Sequence, residues 1–359
     1  MKKLEPLYIG DLEIKTPIIQ GAMGVQISTA PLAGAVADCG GAGTIASVGL
    51  GYGTKENEMN FVQASRDGLI NQYHNVRLIT KGIVGVNIMV ALSNYRDLIQ
   101  TADSLGFDFI VSGAGLPLDL PSIAKNTKTL IPIVSSARAA KIIIQKWMKQ
   151  NHPPDAIIVE GPLAGGHLGF KSEFLRTDLN DVLEEIVGEI IKVAHQAEEE
   201  NGIHLPVIAA GGVFDGKDIA RFIKMGASGV QIATRFVATR ECSVADEFKQ
   251  IYLSASNSDV LIIDSPVGMP GRAIRTSFID KVTGGERIPF KCNYRCLKTC
   301  NPHTAPYCIA KALFAAVRGD MNNAVVFAGS NVSRIDKIVS VKELMNELIQ
   351  EANKELSAG

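Results

Sequence analysis

Eight short, almost uninterrupted apolar runs punctuate the 359-residue chain, and they limit its fold more than any other feature. They occupy residues 17–20, 43–47, 83–89, 107–111, 131–134, 156–159, 206–209 and 229–232. A strand wetted on one face alternates polar and apolar residues. These runs do not, so each is expected to be covered on both faces, as in a parallel sheet wrapped by helices. Segments with helical spacing lie between them, around 31–38, 94–105, 137–148 and 179–197. Another carries Ile219, Phe222 and Ile223 after Asp215, a capping residue, and before Gly226, a helix terminator. Strand and helix alternating to a count of eight imply an α/β chain closing into a (β/α)8 TIM barrel. A doubly wound open sheet is the alternative, and it too places ligands at the strand C-terminal ends.

The barrel is expected over residues 1–256. Residues 257–304 carry Pro266, Pro270, Pro289 and the pairs Gly268/Gly271 and Gly284/Gly285 with little periodicity. They are read as an irregular, cysteine-bearing insertion or lid over the barrel mouth. Residues 305–359 are expected to supply helices packing on the barrel. In the last of these Val341, Leu344, Met345, Leu348, Ile349 and Ala352 share one face, and Ser340 and Glu343 have capping-box spacing.

Composition narrows the function classes. A net charge of −1 gives no reason to expect nucleic acid or an anionic membrane surface as a partner. No apolar run approaches the ~20 residues that cross a bilayer. The basic start Met1-Lys2-Lys3 lacks the apolar core of a secretory signal. A soluble, cytoplasmic protein is expected, with six reduced cysteines; a homodimer is left open.

The chemistry concentrates where the strands end. After the run at 156–159 comes Glu160-Gly161-Pro162-Leu163-Ala164-Gly165-Gly166-His167-Leu168-Gly169. A lone imidazole in a glycine cradle at a strand's C-terminal end suits proton transfer. The seventh and eighth runs lead into Ala210-Gly211-Gly212 and Gln231-Ile232-Ala233-Thr234-Arg235. Barrels of this kind commonly hold phosphate there on bare loop amides. Thr234 can add a hydroxyl, and Arg235 either compensates charge or forms a structural ion pair. Gly21-Ala22-Met23 after the first run would let a flat ring lie against backbone. Asn87 interrupts the third run with amide donors and an acceptor, and Gly113 and Ser135 close the fourth and fifth. One phosphate and one ring fit a flavin mononucleotide. The G-x-G-x-x-G turn of dinucleotide sites and the G-x-x-x-x-G-K-S/T loop are both missing.

Cys292, Cys296 and Cys300 recur every four residues, with Cys308 and His303 nearby and Lys291, Arg295 and Lys298 interspersed. The spacing departs from the usual C-x2-C zinc and ferredoxin patterns, so structural thiols are expected ahead of a metal or iron–sulfur site. Cys39 and Cys242 read as core residues. His74, His152, His195 and His204 read as surface or structural.

In order along the chain, PIIQGAMG, GVNIM, EGPLAGGHLG, IAAGG and QIATRF resemble the nitronate monooxygenase family, formerly the 2-nitropropane dioxygenases. The motifs are shared with bacterial flavin-dependent enoyl-acyl-carrier-protein reductases. The resemblance implies an FMN-containing TIM barrel with His167 as the base or proton-handling group beside the flavin. It implies that Gly21, Ala22, Met23 and Asn87 contact the flavin ring, and that Gly211, Gly212, Ala233 and Thr234 bind its phosphate. Leu163 departs from the pattern, since many relatives carry a polar or acidic residue there. The implied reaction is oxidation of alkyl nitronates by O2 to carbonyl compounds and nitrite, without a metal. The alternative is NAD(P)H-dependent reduction of an enoyl thioester. A flavin-binding redox sensor using the cysteines is a third class.

Overall fold

The computed structural model describes residues 3–54, 60–292 and 294–358. Met1 and Lys2, part of the basic start, lie outside the described residues. All eight apolar runs form parallel strands: Ile18–Gln20, Gly43–Ala46, Val84–Asn87, Ile110–Ser112, Leu130–Val134, Ile157–Glu160, Val207–Ala210 and Gly229–Ile232. They pair in chain order, and the eighth pairs with the first. The first and second meet through an Ile19–Ala42 bridge, with Gln20 N–H donating to the Ala42 carbonyl at 2.9 Å. The sheet is therefore closed, which removes its edges.

The lack of polar alternation has the expected cause. Ile19, Val111, Ile131, Ile158 and Ile208 fill the barrel interior. Their neighbours Ile18, Ile110, Ile157, Val159 and Val230 face outward onto the helices. Leu7, Ile9 and Ile14 of an antiparallel hairpin join the interior cluster and plug the end opposite the site.

The expected helices form as Ala30–Asp38, Tyr95–Leu105, Ala137–Met148, Val182–Asn201 and Gly216–Lys224. Asp215 caps the last, accepting from Lys217 and Asp218 amides. Phe61–Ile79 is a 19-residue helix that periodicity did not single out. Its fully buried positions are few, Ala64, Ser65, Leu69 and Val76, so most of its sequence is polar surface. The terminal helix Val341–Ser357 has its Ser340/Glu343 capping box and packs on Gly216–Lys224 and Ala30–Asp38.

The segment 257–304 is more regular than its sequence suggests. It carries antiparallel strands Val260–Asp264 and Pro270–Ile274 and a helix, Ser277–Thr283. Five residues are too few for a period to register, and Pro266 and Gly268 sit in the turn between the strands. Val326–Phe327 adds to Pro270–Ile274, and so does Gly166–His167 from the barrel. The result is a small sheet over the mouth, woven from three distant parts of the chain.

Candidate functional site

A cavity of about 660 Å³ opens at the C-terminal ends of the barrel strands. Each strand contributes at its last residue or the turn beyond. The first brings Gly21, Ala22 and Met23, the third Asn87, the fourth Gly113 and the fifth Ser135. The sixth brings Glu160, Gly165, Gly166 and His167; the seventh Ala210, Gly211 and Gly212; the eighth Gln231, Ala233 and Thr234. The residues that the sequence pointed to at the strand ends thus line one cavity; of the loop cysteines only Cys296 does.

Two glycines show why the backbone there must be bare. Gly211 has φ +77°, and a Cβ on it would lie 2.8 Å from both the Gly161 nitrogen and oxygen. A Cβ on Gly165 would come within 2.5 Å of the Ala328 carbonyl carbon. The late turns are braced from the far end of the chain. Asn331 donates from Nδ2 to the Gly212 carbonyl at 3.1 Å, and Gly329 N–H donates to Thr234 Oγ1 at 3.0 Å. Of the two readings of Arg235, the ion pair holds: it meets Glu347 at 2.9 Å and lies over the Phe214 ring.

His167 sits where the barrel meets the mouth sheet. It pairs with Gly271 in an antiparallel register, and its Nε2 lies 2.7 Å from Ser265 Oγ. The Phe327 ring packs edge-on at 5.0 Å between centroids. Arg272 anchors the loop, donating from Nη1 to the carbonyls of Pro162 at 2.5 Å and Ala164 at 2.7 Å. Burial pushes its pKa down to about 10, so the guanidinium stays charged at neutral pH. Ser265, Arg272 and Phe327 had no sequence signal; each lies in a segment without periodicity and reaches the loop only through the fold.

Two titratable groups in the cavity are shifted in opposite directions by the same cause. Burial lowers the His167 pKa to about 4, leaving the imidazole neutral at ordinary pH. Burial raises the Glu160 pKa to about 7, so that carboxyl is partly protonated near neutrality. Both side chains keep some solvent contact through the cavity, being only partly covered. A neutral base and a carboxylic acid held in one pocket are the usual marks of a proton-handling site.

The cavity also offers hydrogen-bonding capacity that the protein does not use. Ser47 Oγ, both amide atoms of Asn94, and Ser330 Oγ are buried without a partner, and all three residues line it. A buried polar atom left unpaired costs about 1–3 kcal/mol, so these atoms call for a polar ligand. Together with the glycine turns, they fit a planar group carrying polar edges and an anionic tail.

Elsewhere Cys242 is buried, but Cys39 is only half-buried, because it follows the last turn of Ala30–Asp38. His74, His195 and His204 are exposed. His152 packs edge-on against Trp147. Among the described residues no helix is long and apolar enough to cross a membrane.

A closed (β/α)8 barrel with a glycine-lined cavity at its strand ends and an imidazole at the mouth defines the class of TIM-barrel enzymes. Within that class, the profile of the nitronate monooxygenase family matches residues 5–351, and the chain belongs to this family. It is a flavin-dependent oxidoreductase. A probable nitronate monooxygenase of Bacillus subtilis is 24% identical, with 96% of this chain and 98% of that protein aligned. A hydroxy-methyl-oxo-octahydroindene-carboxyl-CoA dehydrogenase of Mycobacterium tuberculosis is 30% identical over 76% of this chain and 67% of its own length. The solved structure of FabK from Thermotoga maritima superposes with a TM-score of 0.73 at 28% identity, covering 95% of this chain and 94% of that one.

Proposed function

We propose that the chain binds FMN and oxidises alkyl nitronates with O2 to carbonyl compounds and nitrite. The observation that carries this reading is His167, kept neutral by burial and fixed to Ser265 above a cradle of bare strand-end turns. FMN supplies the electron transfer when bound. The protein's part is to hold and orient. The turns at Gly211–Gly212 and Ala233–Thr234 would take the phosphate, and Gly21, Ala22, Met23 and Asn87 the ring. Ser47, Asn94 and Ser330 would find their missing partners on the cofactor or substrate.

His167 handles the proton of a neutral nitroalkane. In the tautomer that donates Nε2–H to Ser265 Oγ, the lone pair on Nδ1 is the basic atom. An imidazole with a pKa near 4 is a weak base, but an anion forming beside it stabilises the imidazolium and raises that value. Leu163, Val267, Met269 and Phe327 line the cavity, which suits a substrate with a small polar head on an alkyl body.

A second reading is oxidoreduction of an acyl thioester with NAD(P)H. It is favoured by the coenzyme A thioester in the name of the M. tuberculosis relative, and by a cavity of about 660 Å³, roomy for a small nitronate beside a cofactor. Heat-extracted flavin should be FMN; finding FAD or none would remove the basis of the proposal. Oxygen uptake with alkyl nitronates should then exceed NADH oxidation with an enoyl thioester, and the reverse order would move the assignment to the second reading.

A further inference from the structure

Of the eight barrel strands, the second alone, Gly43–Ala46, supplies none of the contacts proposed for the cofactor. The turn that follows it nevertheless lines the same cavity, through Ser47, Val48, Gly49 and Tyr52. We infer that this turn walls a separate compartment for a long or fused-ring carbon skeleton of the substrate, with Asn94 reading a hydroxyl or carbonyl carried on it. The inference rests on the reading of this cavity as an active site and names its substrate class.

The wall is apolar and braced. Val25, Val48, Tyr52, Phe61, Ala310 and Leu313 pack in one cluster, and each also lines the cavity. They come from the turns after the first two strands, the start of the helix Phe61–Ile79, and the helix Ile309–Val317. Two rings of the same cluster lie outside the cavity lining and support the wall. Tyr294 stands 5.7 Å from Tyr52 and 5.8 Å from Phe61 between ring centroids, and Phe314 meets Tyr52 edge-on at 6.3 Å. Gln26 holds the turn, donating from Nε2 to the carbonyls of Gly49 at 2.8 Å and Tyr52 at 3.0 Å. The loop 294–298 is pinned to the turn after the third strand. Leu297 bridges Leu92, Ser93 N–H donates to the Cys296 carbonyl at 3.0 Å, and Lys298 N–H to the Ala91 carbonyl at 2.9 Å. Within this braced wall Val48, Phe61 and Leu313 stay only partly covered. Apolar surface of that kind favours an apolar occupant, by about fourfold in affinity for each methylene taken out of water.

Two buried polar groups adjoin the wall in the chain and lack partners. Asn94 is 2% exposed, and neither its Nδ2 nor its Oδ1 is hydrogen-bonded. Asparagine is a favoured capping residue, and Asn94 stands before the helix Tyr95–Leu105, yet its side chain makes no cap hydrogen bond. It lines the cavity instead, as does Leu98 one turn along that helix. Its neighbour Ser93 is the residue bound to the Cys296 carbonyl. Ser47, whose Oγ is also unpartnered, directly precedes Val48. A plain hydrocarbon in this compartment would leave the Asn94 amide buried and unpaired. A skeleton bearing a hydroxyl or carbonyl would satisfy it, so the arrangement selects a functionalised skeleton over a bare one.

The test is calorimetric titration of the flavin-loaded, full-length protein with propanoate, hexanoate and decanoate. Their planar anionic head matches that of a nitronate, and binding is read without turnover. Affinity should rise about fourfold per methylene from propanoate to hexanoate, and rise again to decanoate. Leu313→Trp, which fills the compartment, should cost decanoate roughly tenfold or more and propanoate much less. Phe61→Ala, which widens it, should shift preference toward 4-cyclohexylbutanoate, and this variant decides if Leu313→Trp misfolds. The best binder among the monohydroxydecanoates should exceed decanoate by roughly fivefold, and Asn94→Leu should erase that advantage with flavin retained. Affinity that is flat with chain length, or a decanoate gain untouched by both wall variants, would overturn the compartment. Release of flavin by Asn94→Leu, or an intact hydroxyl advantage in that variant, would overturn the role of Asn94. Length-dependent binding without nitronate oxidation would support the compartment and count against the nitronate reading only.

Discussion

Gly211 and Ser330 line the same cavity, yet they arrive there in different ways. Gly211 belongs to the lower half, built from turns that follow barrel strands at fixed offsets. Ser330 belongs to the upper half, woven from residues 260–274 and 326–331, the ends of which are far apart in sequence. The lower half is held by eight-strand closure and backbone approach, and it offers glycine turns together with side chains such as Asn87 and Glu160. The upper half offers side chains: the Ser265 hydroxyl, the Phe327 ring, the Asn331 amide. His167 stands at the junction, part of a barrel loop by sequence and of the mouth sheet by pairing. On the proposed function, binding would fall mainly to the barrel turns and proton transfer from substrate to the place where the two halves meet.

The strongest way to break this division is to remove the imidazole. His167→Asn should lower turnover of neutral nitroalkanes by roughly 10²- to 10⁴-fold, the usual weight of a general base. Flavin content should stay at wild-type level and turnover of preformed nitronates should suffer less. Parallel loss of flavin would show that the junction also binds.

Next in size is a pH effect that sets the lower-half acid against the junction base. Glu160 has its pKa raised from 4.5 to about 7 by folding, so the stability it confers is full below 4.5 and is lost as pH rises through about 7. His167 has its pKa lowered from 6.5 to about 4, so its contribution is full above 6.5 and is lost as pH falls through about 4. Between pH 4.5 and 6.5 the two slopes oppose each other. Glu160→Gln removes one of them, and its stability relative to wild type should rise by about 3 kcal/mol from pH 4.5 to 7. Urea unfolding at the two pH values measures this, and a flat difference would mean that Glu160 is not desolvated.

The smallest effect belongs to the upper half alone. Ser265→Ala removes a single hydrogen bond to the ring, worth about 1 kcal/mol, and should cost about five- to tenfold in turnover with flavin unchanged. The pH profile separates orientation from mere packing, since an imidazole freed of its partner titrates differently. An unaltered profile with unaltered turnover would remove Ser265 from the mechanism.

How much of this was legible follows the same division. Gly21–Met23, Gly211–Gly212 and Ala233–Thr234 could be read because each trails an apolar run, and Asn87 because it interrupts one; the barrel brings all such strand ends to one edge. The eight strands were legible for the same reason, since burial on both faces leaves no polar alternation to mask them. Ser265 contacts His167 from 98 residues away, and no local pattern marks a serine in a turn as a partner. The strands Val260–Asp264 and Pro270–Ile274 hid behind prolines and glycines that belong to their turn. The helix Phe61–Ile79 was missed for the opposite reason: too little of it is buried to leave a stripe.

The pairing of Gly166–His167 with the strand Pro270–Ile274 has a consequence for how such an enzyme can be altered. The imidazole is stitched by main-chain pairing to the small sheet beside the cavity, so grafting a new sheet from a relative re-aims the ring at the same stroke. With His167 as the proposed base, selectivity for the guest and the aim of that ring must then be redesigned together.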